Sequence, residues 1–537
     1  MQNRPMPWWA LRSLVVVAVL ALASLPFLYA VRAAGPDFVF GGFLLNPQDG
    51  NTYLAKMVEG WNGAWRFTLP YTYEPGRGAY LFLFYLFLGH LSRWLHLPLL
   101  LVYHAARLAS GLILLLVLDR FFQATLPQPG QRFLAFALAA LGSGLGWLAL
   151  PSGAVTSDFW VAEAYPFLSI FATPHFALGL ALLLWILLQG TAGQPAAWKI
   201  WRLALASLAL SLLSPFGVVI ALVVLGGLLA IDLLSPARAL RASSLNLAER
   251  TSTAWRRLLS MGGPWLAVLL GGAPFLIYDL WVTHVDPQLA AWNAQNLTPS
   301  PPGWDLLLSF SPLLLLSLPG ARQAWRSDAR GQRLLLAWAV LGLLMLYLPF
   351  GLQRRFMMGL WVPVVGLGIL GLSWLAGRWR IGVRPLAAVL LVLALPTNLL
   401  VLLAGLHGVQ THDAQLYLTR GEARALQWIS QQAPPGALVL ASPSMGLFIP
   451  AYTGRRVLYG HPFETVEAAA MQQQVLDLFR GGFSPSKNRL APASAQMPGP
   501  RLVFFGPRER ALGGSPPQAG WQIVYSNAGV TLYAGQP

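Results

Sequence analysis

Six residues of this chain have types and spacings that can do chemistry: Asp49, Asp158, Glu163, His175, Arg354 and Arg355. Asp49 stands in a stretch that is polar and aromatic together, NPQDGNTYLAKMVEGWNGAWRFTLPYTYEPGRG. It precedes a predicted helix at 51–62 whose Tyr53, Met57 and Trp61 fall on one side, suited to a membrane surface. A carboxylate there can accept a proton from a hydroxyl or hold a divalent cation. It can equally cap the helix. Asp158, Glu163 and His175 share the segment SDFWVAEAYPFLSIFATPHFALG. Two carboxylates and an imidazole can ligate a metal, although their spacing matches no fixed metal motif. His175, after Thr173-Pro174, can instead cap the next helix or hydrogen-bond within the bundle. Gln353-Arg354-Arg355 sets two guanidinium groups between apolar runs. Guanidinium grips phosphate through paired hydrogen bonds; carboxylates of other loops or anionic lipid are the other candidate partners.

Two further groups are weaker. In 283–303, His284, Asp286, Trp292 and Gln295 can line a groove, or the segment is simply interfacial. In the tail, Tyr452 to Arg456 and Tyr459 to Pro462 bracket a strand, and His461 and Glu464 can contact an acceptor, although Gly and Pro there fit plain turns. No Walker loop, HExxH or GxSxG is present.

The elements that must hold these residues belong to a membrane protein. The chain has 537 residues, 56% hydrophobic and only 10% charged. A soluble domain carries roughly 25% charged residues. Twelve apolar segments are predicted, at 9–31, 79–97, 98–118, 132–150, 175–191, 200–214, 215–233, 260–282, 304–320, 334–350, 356–377 and 385–406. The net charge of +17 reflects arginines in short loops, so it speaks of orientation and not of nucleic acid. There is no cysteine, which excludes disulfides and thiolate metal sites. Arg4 and Arg12 before the run Leu14 to Leu28 look like a signal peptide, but the many spans that follow favour a retained first helix.

Three basic loops set the sidedness: Arg238, Arg241, Arg250, Arg256 and Arg257; Arg322, Arg326, Arg330 and Arg333; Arg378, Arg380 and Arg384. Positive residues stay cytoplasmic. The N-terminus is then inside, while 32–78, 283–303, 351–355 and the tail 411–537 are outside. That parity demands an odd number of spans, eleven or thirteen. Segment 79–97 is suspect because His90, Arg93 and His96 interrupt it, and the pair joined at Ser214-Pro215 because each member is short. In the tail, 420–432 and 464–480 are predicted helices, and 437–442, 502–505, 522–525 and 530–533 strands. Residues 484–500, rich in Pro, Ser and Ala, are predicted to be a mobile loop.

One span, a long outer loop with an acidic residue before DGNTYLAKMVEGWNGAW, and an external α/β tail resemble the GT-C membrane glycosyltransferases, relatives of protein O-mannosyltransferase and aminoarabinose transferase. The resemblance implies an all-α polytopic membrane bundle of about 11–13 helices over 1–410, with the outer loop 32–78 and an extracytoplasmic α/β domain at 411–537. It implies transfer of a sugar from a polyprenyl-phosphate carrier to a glycan, lipid or protein acceptor on the outer face, with inversion. Asp49 matches the catalytic carboxylate. Asp158, Glu163 and His175 would position the acceptor or an ion, a divalent metal included, and Arg354 or Arg355 would bind the donor phosphate. The chain departs from the pattern twice: the acidic pair common in the first loop is missing, and Glu74-Pro75-Gly76 replaces a Pro-Pro segment. A transporter or lipid-linked glycan flippase is the alternative; it would need ionisable groups near the midplane, for which Arg107, Asp119 and Asp232 are the candidates. Arginine outnumbers lysine heavily, as in GC-rich bacterial genomes, which would make the outer face periplasmic or extracellular.

Because the chain lacks cysteine, single cysteines can test sidedness cleanly. Cysteines placed at 49 and at 354 should both react with a membrane-impermeant maleimide added to the outside of intact cells. Labelling of the two from opposite faces would break the shared-surface reading.

Overall fold

The computed structural model describes residues 7–191, 197–234, 247–481, 501–517 and 520–535. Most of the first basic loop and the 484–500 segment lie outside these residues, as do the side chains of Asp232, Arg250, Arg256 and Arg257. The chain divides into two compact units. One comprises Met1–Leu25, Ala106–Tyr278 and Thr298–Ala404; the other comprises Pro26–Ala105, Asp279–Leu297 and Gly405–Pro537.

The protein is a multi-pass helical membrane protein. Among the described residues six helices are long and apolar enough to cross a bilayer: Trp8–Ala33, Leu99–Thr125, Pro174–Thr191, Gly262–Val285, Trp361–Trp379 and Val383–Gln410. Two bent pairs bring the number to eight, Pro129–Leu141 with Gly146–Ser152 at 47° and Gly303–Phe310 with Leu313–Arg326 at 81°. By length and composition alone the described helices thus supply six to eight of the eleven to thirteen spans expected. The apolar stretch around Ser214-Pro215 forms two short helices, Ile200–Leu213 and Pro215–Ile231, because a proline cannot continue the helix before it. The suspect segment 79–97 holds only the 13-residue helix Leu83–Leu95, too short to span. It belongs instead with the first loop, where His90 stacks on Trp65 and meets the Ala64 carbonyl at 3.0 Å.

Within the first unit, helices pack through small residues, as lipid offers no hydrophobic drive to hold them together. Helix Leu313–Arg326 runs so close to Trp361–Trp379 that a Cβ on Gly320 would lie 1.9 Å from the Leu367 carbonyl oxygen. Arg107 is buried and donates to the carbonyls of Ala23 and Ile170. Arg12 pairs with Asp119 at 3.1 Å. Arg107 and Asp119, two of the three charges considered for a transport role, thus have structural partners.

In the second unit the tail is an α/β fold. Strands β1 (Phe38–Phe40) and β2 (Tyr417–Thr419) pair antiparallel, joining the first loop to the start of the tail. A five-stranded sheet follows, in the order β4 (Arg456–Val457), β3 (Leu438–Leu440), β5 (Arg501–Phe505), β7 (Thr531–Gly535), β6 (Trp521–Ser526). β3 runs parallel to both its neighbours, and β5, β7 and β6 alternate in direction. Helix Arg420–Gln432 forms as predicted, its start fixed by a capping box of Thr419 and Glu422. Met471, Val475 and Phe479 of the second tail helix, Ala468–Gly481, are apolar at helical spacing and pack on Leu438, Leu440 and Val503 of the sheet.

The loop helix Pro47–Trp61 is largely packed against protein, although Trp61 at its end is exposed. Met57 and Lys56 are both at most 1% exposed, and helix Leu83–Leu95 lies against it. Gly89 permits that approach: a Cβ there would stand 2.0 Å from the Met57 carbonyl oxygen, which is backbone and cannot yield. Gly89→Ala should cost about 1–3 kcal/mol through overpacking and lower the thermal midpoint of the purified protein by several degrees. Gly130→Ala, where nothing stands within 4 Å, should leave it unchanged.

Candidate active site

The second unit gathers a charged cluster from the first loop and the tail. Asn46 caps helix Pro47–Trp61 from a left-handed conformation (φ 48°), accepting from the Asp49 amide. Asp49 is therefore in the first helical turn and is not the cap, which removes the blander of its two readings. Its carboxylate takes the Asn46 side-chain amide on Oδ2 at 2.5 Å. Its Oδ1 lies 3.5 Å from His461 Nε2. The Asp49 side chain is 41% exposed and that of His461 2%.

The state of His461 follows from its backbone. Nδ1 accepts the amides of Phe463 and Glu464, each at 3.1 Å. The ring proton must then sit on Nε2. That nitrogen is buried and makes no hydrogen bond of standard geometry, although a buried donor left unpaired costs about 1–3 kcal/mol. One turn further along the same loop, Glu464 Oε1 takes the ammonium of Lys56 at 2.7 Å, the side chains being 11% and 1% exposed. The Lys56 ammonium also sits 4.3 Å from the ring centre of Phe82. Glu59 completes the cluster, accepting from the Thr68 amide and hydroxyl. Burial pushes its carboxyl up to about 7, against the pull of Thr68 and Lys56. The loop carrying His461 is itself braced: Gln295 donates to the Thr465 carbonyl at 2.5 Å and Asn296 to that of Phe463 at 3.1 Å. One predicted groove residue of 283–303, Gln295, thus holds this loop in place together with its neighbour Asn296.

The remaining predicted residues lie in the first unit. Asp158 is 0% exposed. It accepts from Thr156 Oγ1 at 2.6 Å, the Gly146 amide at 3.1 Å and Ser309 Oγ at 3.2 Å. Burial pushes its carboxyl up despite these donors. Asp305 sits beside it, taking Ser157 and Ser309. The two aspartates lock segment 143–158 onto helix Gly303–Phe310. Glu163, also buried, meets Arg355 at 3.2 Å. The Arg354 guanidinium carbon sits over Trp160, 4.7 Å from its ring centre, and the Arg354 amide donates to the Thr298 carbonyl. His175 is the second residue of helix Pro174–Thr191, its ring 4.1 Å from that of Phe176. Glu163 and Arg355 thus meet directly, and Arg354 rests on Trp160 of the segment that carries Asp158 and Glu163. Among the described residues no three His, Asp or Glu side chains converge closely enough to hold a metal ion.

No known protein family matches the sequence, and no curated protein matches it. Solved structures do. ArnT from Cupriavidus metallidurans, solved bound to undecaprenyl phosphate, superposes with a TM-score of 0.52 at 15% identity, over 97% of each chain. The oligosaccharyltransferase of Archaeoglobus fulgidus, crystallised with zinc and sulfate, gives 0.52 at 12% identity over 98% of this chain and 73% of its own. Its form tethered to an acceptor peptide gives 0.51 at 12% identity, over 97% of this chain and 74% of its own. The fold is GT-C.

On this GT-C scaffold sequence reasoning overlooked Lys56 and Glu59. Lys56 is two helical turns after Asp49, and Glu59 almost three; that periodicity, read together with the helix, could have flagged them. The partner of Lys56, 408 residues away, carried no such signal.

Glu59 yields a pH prediction. Its folded-state value of about 7 exceeds the ordinary 4.5, so the folded protein holds this proton more tightly than the unfolded chain. Its contribution therefore favours folding at low pH, declines as pH rises from 4.5 through about 7, and then levels off. Thermal unfolding of Glu59→Gln should show a flatter pH dependence between pH 5 and 8 than wild type, with the variant gaining most at pH 8. Parallel curves would remove Glu59 as the source.

Proposed function

We propose that the protein is an integral membrane glycosyltransferase that moves a sugar from a polyprenyl-phosphate carrier to an acceptor on the outer face, inverting the anomeric centre. One observation carries the reading: the GT-C fold extends over 97% of both this chain and ArnT, solved with undecaprenyl phosphate. On this reading the N-terminus is cytoplasmic and 411–537 is an extracytoplasmic domain.

Asp49 is the group we assign to the reacting centre. It is half exposed at the start of a helix, where positive dipole favours the anionic form. An acceptor hydroxyl held against it attacks the anomeric carbon. The bond from that carbon to the phosphate oxygen breaks, its electron pair leaving with the phosphate. The hydroxyl proton passes to the carboxylate. Arg354 and Arg355 are assigned to the donor phosphate, where fixed positive charge stabilises the departing oxygens. Asp158 has no exposed surface, so we assign it to holding the loop that carries Glu163. Glu163 orients Arg355. Among the described residues Asp49, Asp158, Glu163 and His175 do not form a cluster of three metal-ligating side chains.

Asp49→Asn should insert and fold normally and lose sugar transfer by at least ~100-fold, the usual scale of a lost general base. Normal turnover would take Asp49 out of the mechanism. Reconstituted vesicles separate this reading from transport: solute accumulation without any new glycosidic bond would favour a transporter.

A further inference from the structure

We propose that His461, from the tail, is a positioning residue for the Asp49 carboxylate, its Nε2 proton held ready to bind Oδ1 when an acceptor enters. The inference rests on the assignment of Asp49 above and deepens it: the catalytic carboxylate of the first loop is set by a residue more than four hundred positions away.

Three observations carry it. First, the His461 ring has one orientation and one tautomer, because two backbone amides occupy Nδ1. Nε2 can therefore only donate, and the ring is not a proton relay. Second, this buried donor is unspent: it makes no regular hydrogen bond and faces Asp49 Oδ1 at 3.5 Å. Catalytic contacts are often long before substrate arrives and tighten in the reacting complex. Third, the loop is held from several sides. The Gly460 and His461 amides bond Thr465 Oγ1, Glu464 grips Lys56, and Gln295 and Asn296 hold the carbonyls of Thr465 and Phe463. So much bracing around one exposed aspartate is what a carboxylate needs when its direction matters.

Asn46 and His461 then act as a pair on the two oxygens of Asp49. Asn46 takes Oδ2 and His461 faces Oδ1. Together they fix the rotation of the carboxylate, so that an incoming hydroxyl meets a lone pair of set direction. The bonding change stays as stated above: the acceptor oxygen gains the anomeric carbon, the phosphate leaves with the electron pair, and the proton goes to Asp49.

Two substitutions separate this role from a merely structural one. His461→Asn keeps an acceptor where Nδ1 stood, so the turn at Phe463 and Glu464 survives, but it removes the donor that faces Asp49. His461→Gln returns a donor at the Nε2 position. Purified in detergent and assayed with an undecaprenyl-phosphate sugar, His461→Asn should keep its thermal midpoint and acceptor KM within twofold while kcat falls at least tenfold. His461→Gln should recover most of that kcat. In the Asp49→Asn background, His461→Asn should add nothing. Wild-type kcat in His461→Asn beside an inactive Asp49→Asn would overturn this inference and leave the Asp49 assignment standing. Full activity in Asp49→Asn would overturn the assignment itself. A collapse of thermal midpoint in both His461 variants, with kcat per folded molecule unchanged, would make His461 structural and also overturn it.

Discussion

The ion pair of Lys56 with Glu464 is the constraint on which the second unit depends. Two charges taken out of water lose several kcal/mol of hydration each, so either alone in this site is untenable. Lys56 is 1% exposed and its partner's oxygen is 2.7 Å away. The first loop and the tail must therefore be in register with one another or the site does not close. The register then carries further. Lys56 lies seven residues, two turns, after Asp49 on one helix, and Glu464 lies three residues after His461 on one loop. Fixing Lys56 against Glu464 brings Asp49 to His461. The Lys56–Glu464 ion pair and the approach of His461 to Asp49 are thus set by a single alignment.

The first unit solves a related problem differently. Its loops enter a largely apolar bundle, where unpaired polar groups are costly. Asp158 and Asp305 gather the hydroxyls and amides of 143–158 and of helix Gly303–Phe310, so each carboxylate satisfies several donors at once. Glu163 and Arg355 neutralise each other beside them. Where helices cross, glycines such as Gly320 remove side chains altogether so that backbones can touch. Both devices keep polar backbone and charge partnered, and both leave Arg354 and Arg355 on a fixed turn over Trp160 and Glu163.

Much of the architecture was legible in the residues alone. Hydropathy located nearly every membrane helix within a few residues, and apolar runs and helical spacing located β3, β5, β6, β7 and the two longer helices of the tail, Arg420–Gln432 to the residue. The number of spans was less legible. An apolar run of twenty residues and two shorter runs bent at a proline have similar composition, yet only one of them is a straight helix. The helix of the first loop misled in another way. Tyr53, Met57 and Trp61 make a stripe that suits a lipid surface or a protein interior equally well; the close approach at Gly89 buries Met57, while Trp61 stays exposed.

The site shows the same division. Residue types and local spacing singled out Asp49, Asp158, Glu163, Arg354 and Arg355 as groups able to do chemistry, because charge in an apolar chain is costly and therefore noticeable. What each one does was not written locally. Asp158 became wholly enclosed through contacts with a helix some 150 residues on, and the tautomer of His461 was set by amides of its own loop. The order of residues determined which segments seek lipid, which seek water and which charges stand where neither solvent suits them. Tertiary structure alone decided which of those charges meet. Electrostatic pairing depends on distances of a few ångströms between segments far apart in the chain, and a one-dimensional pattern carries no such distance.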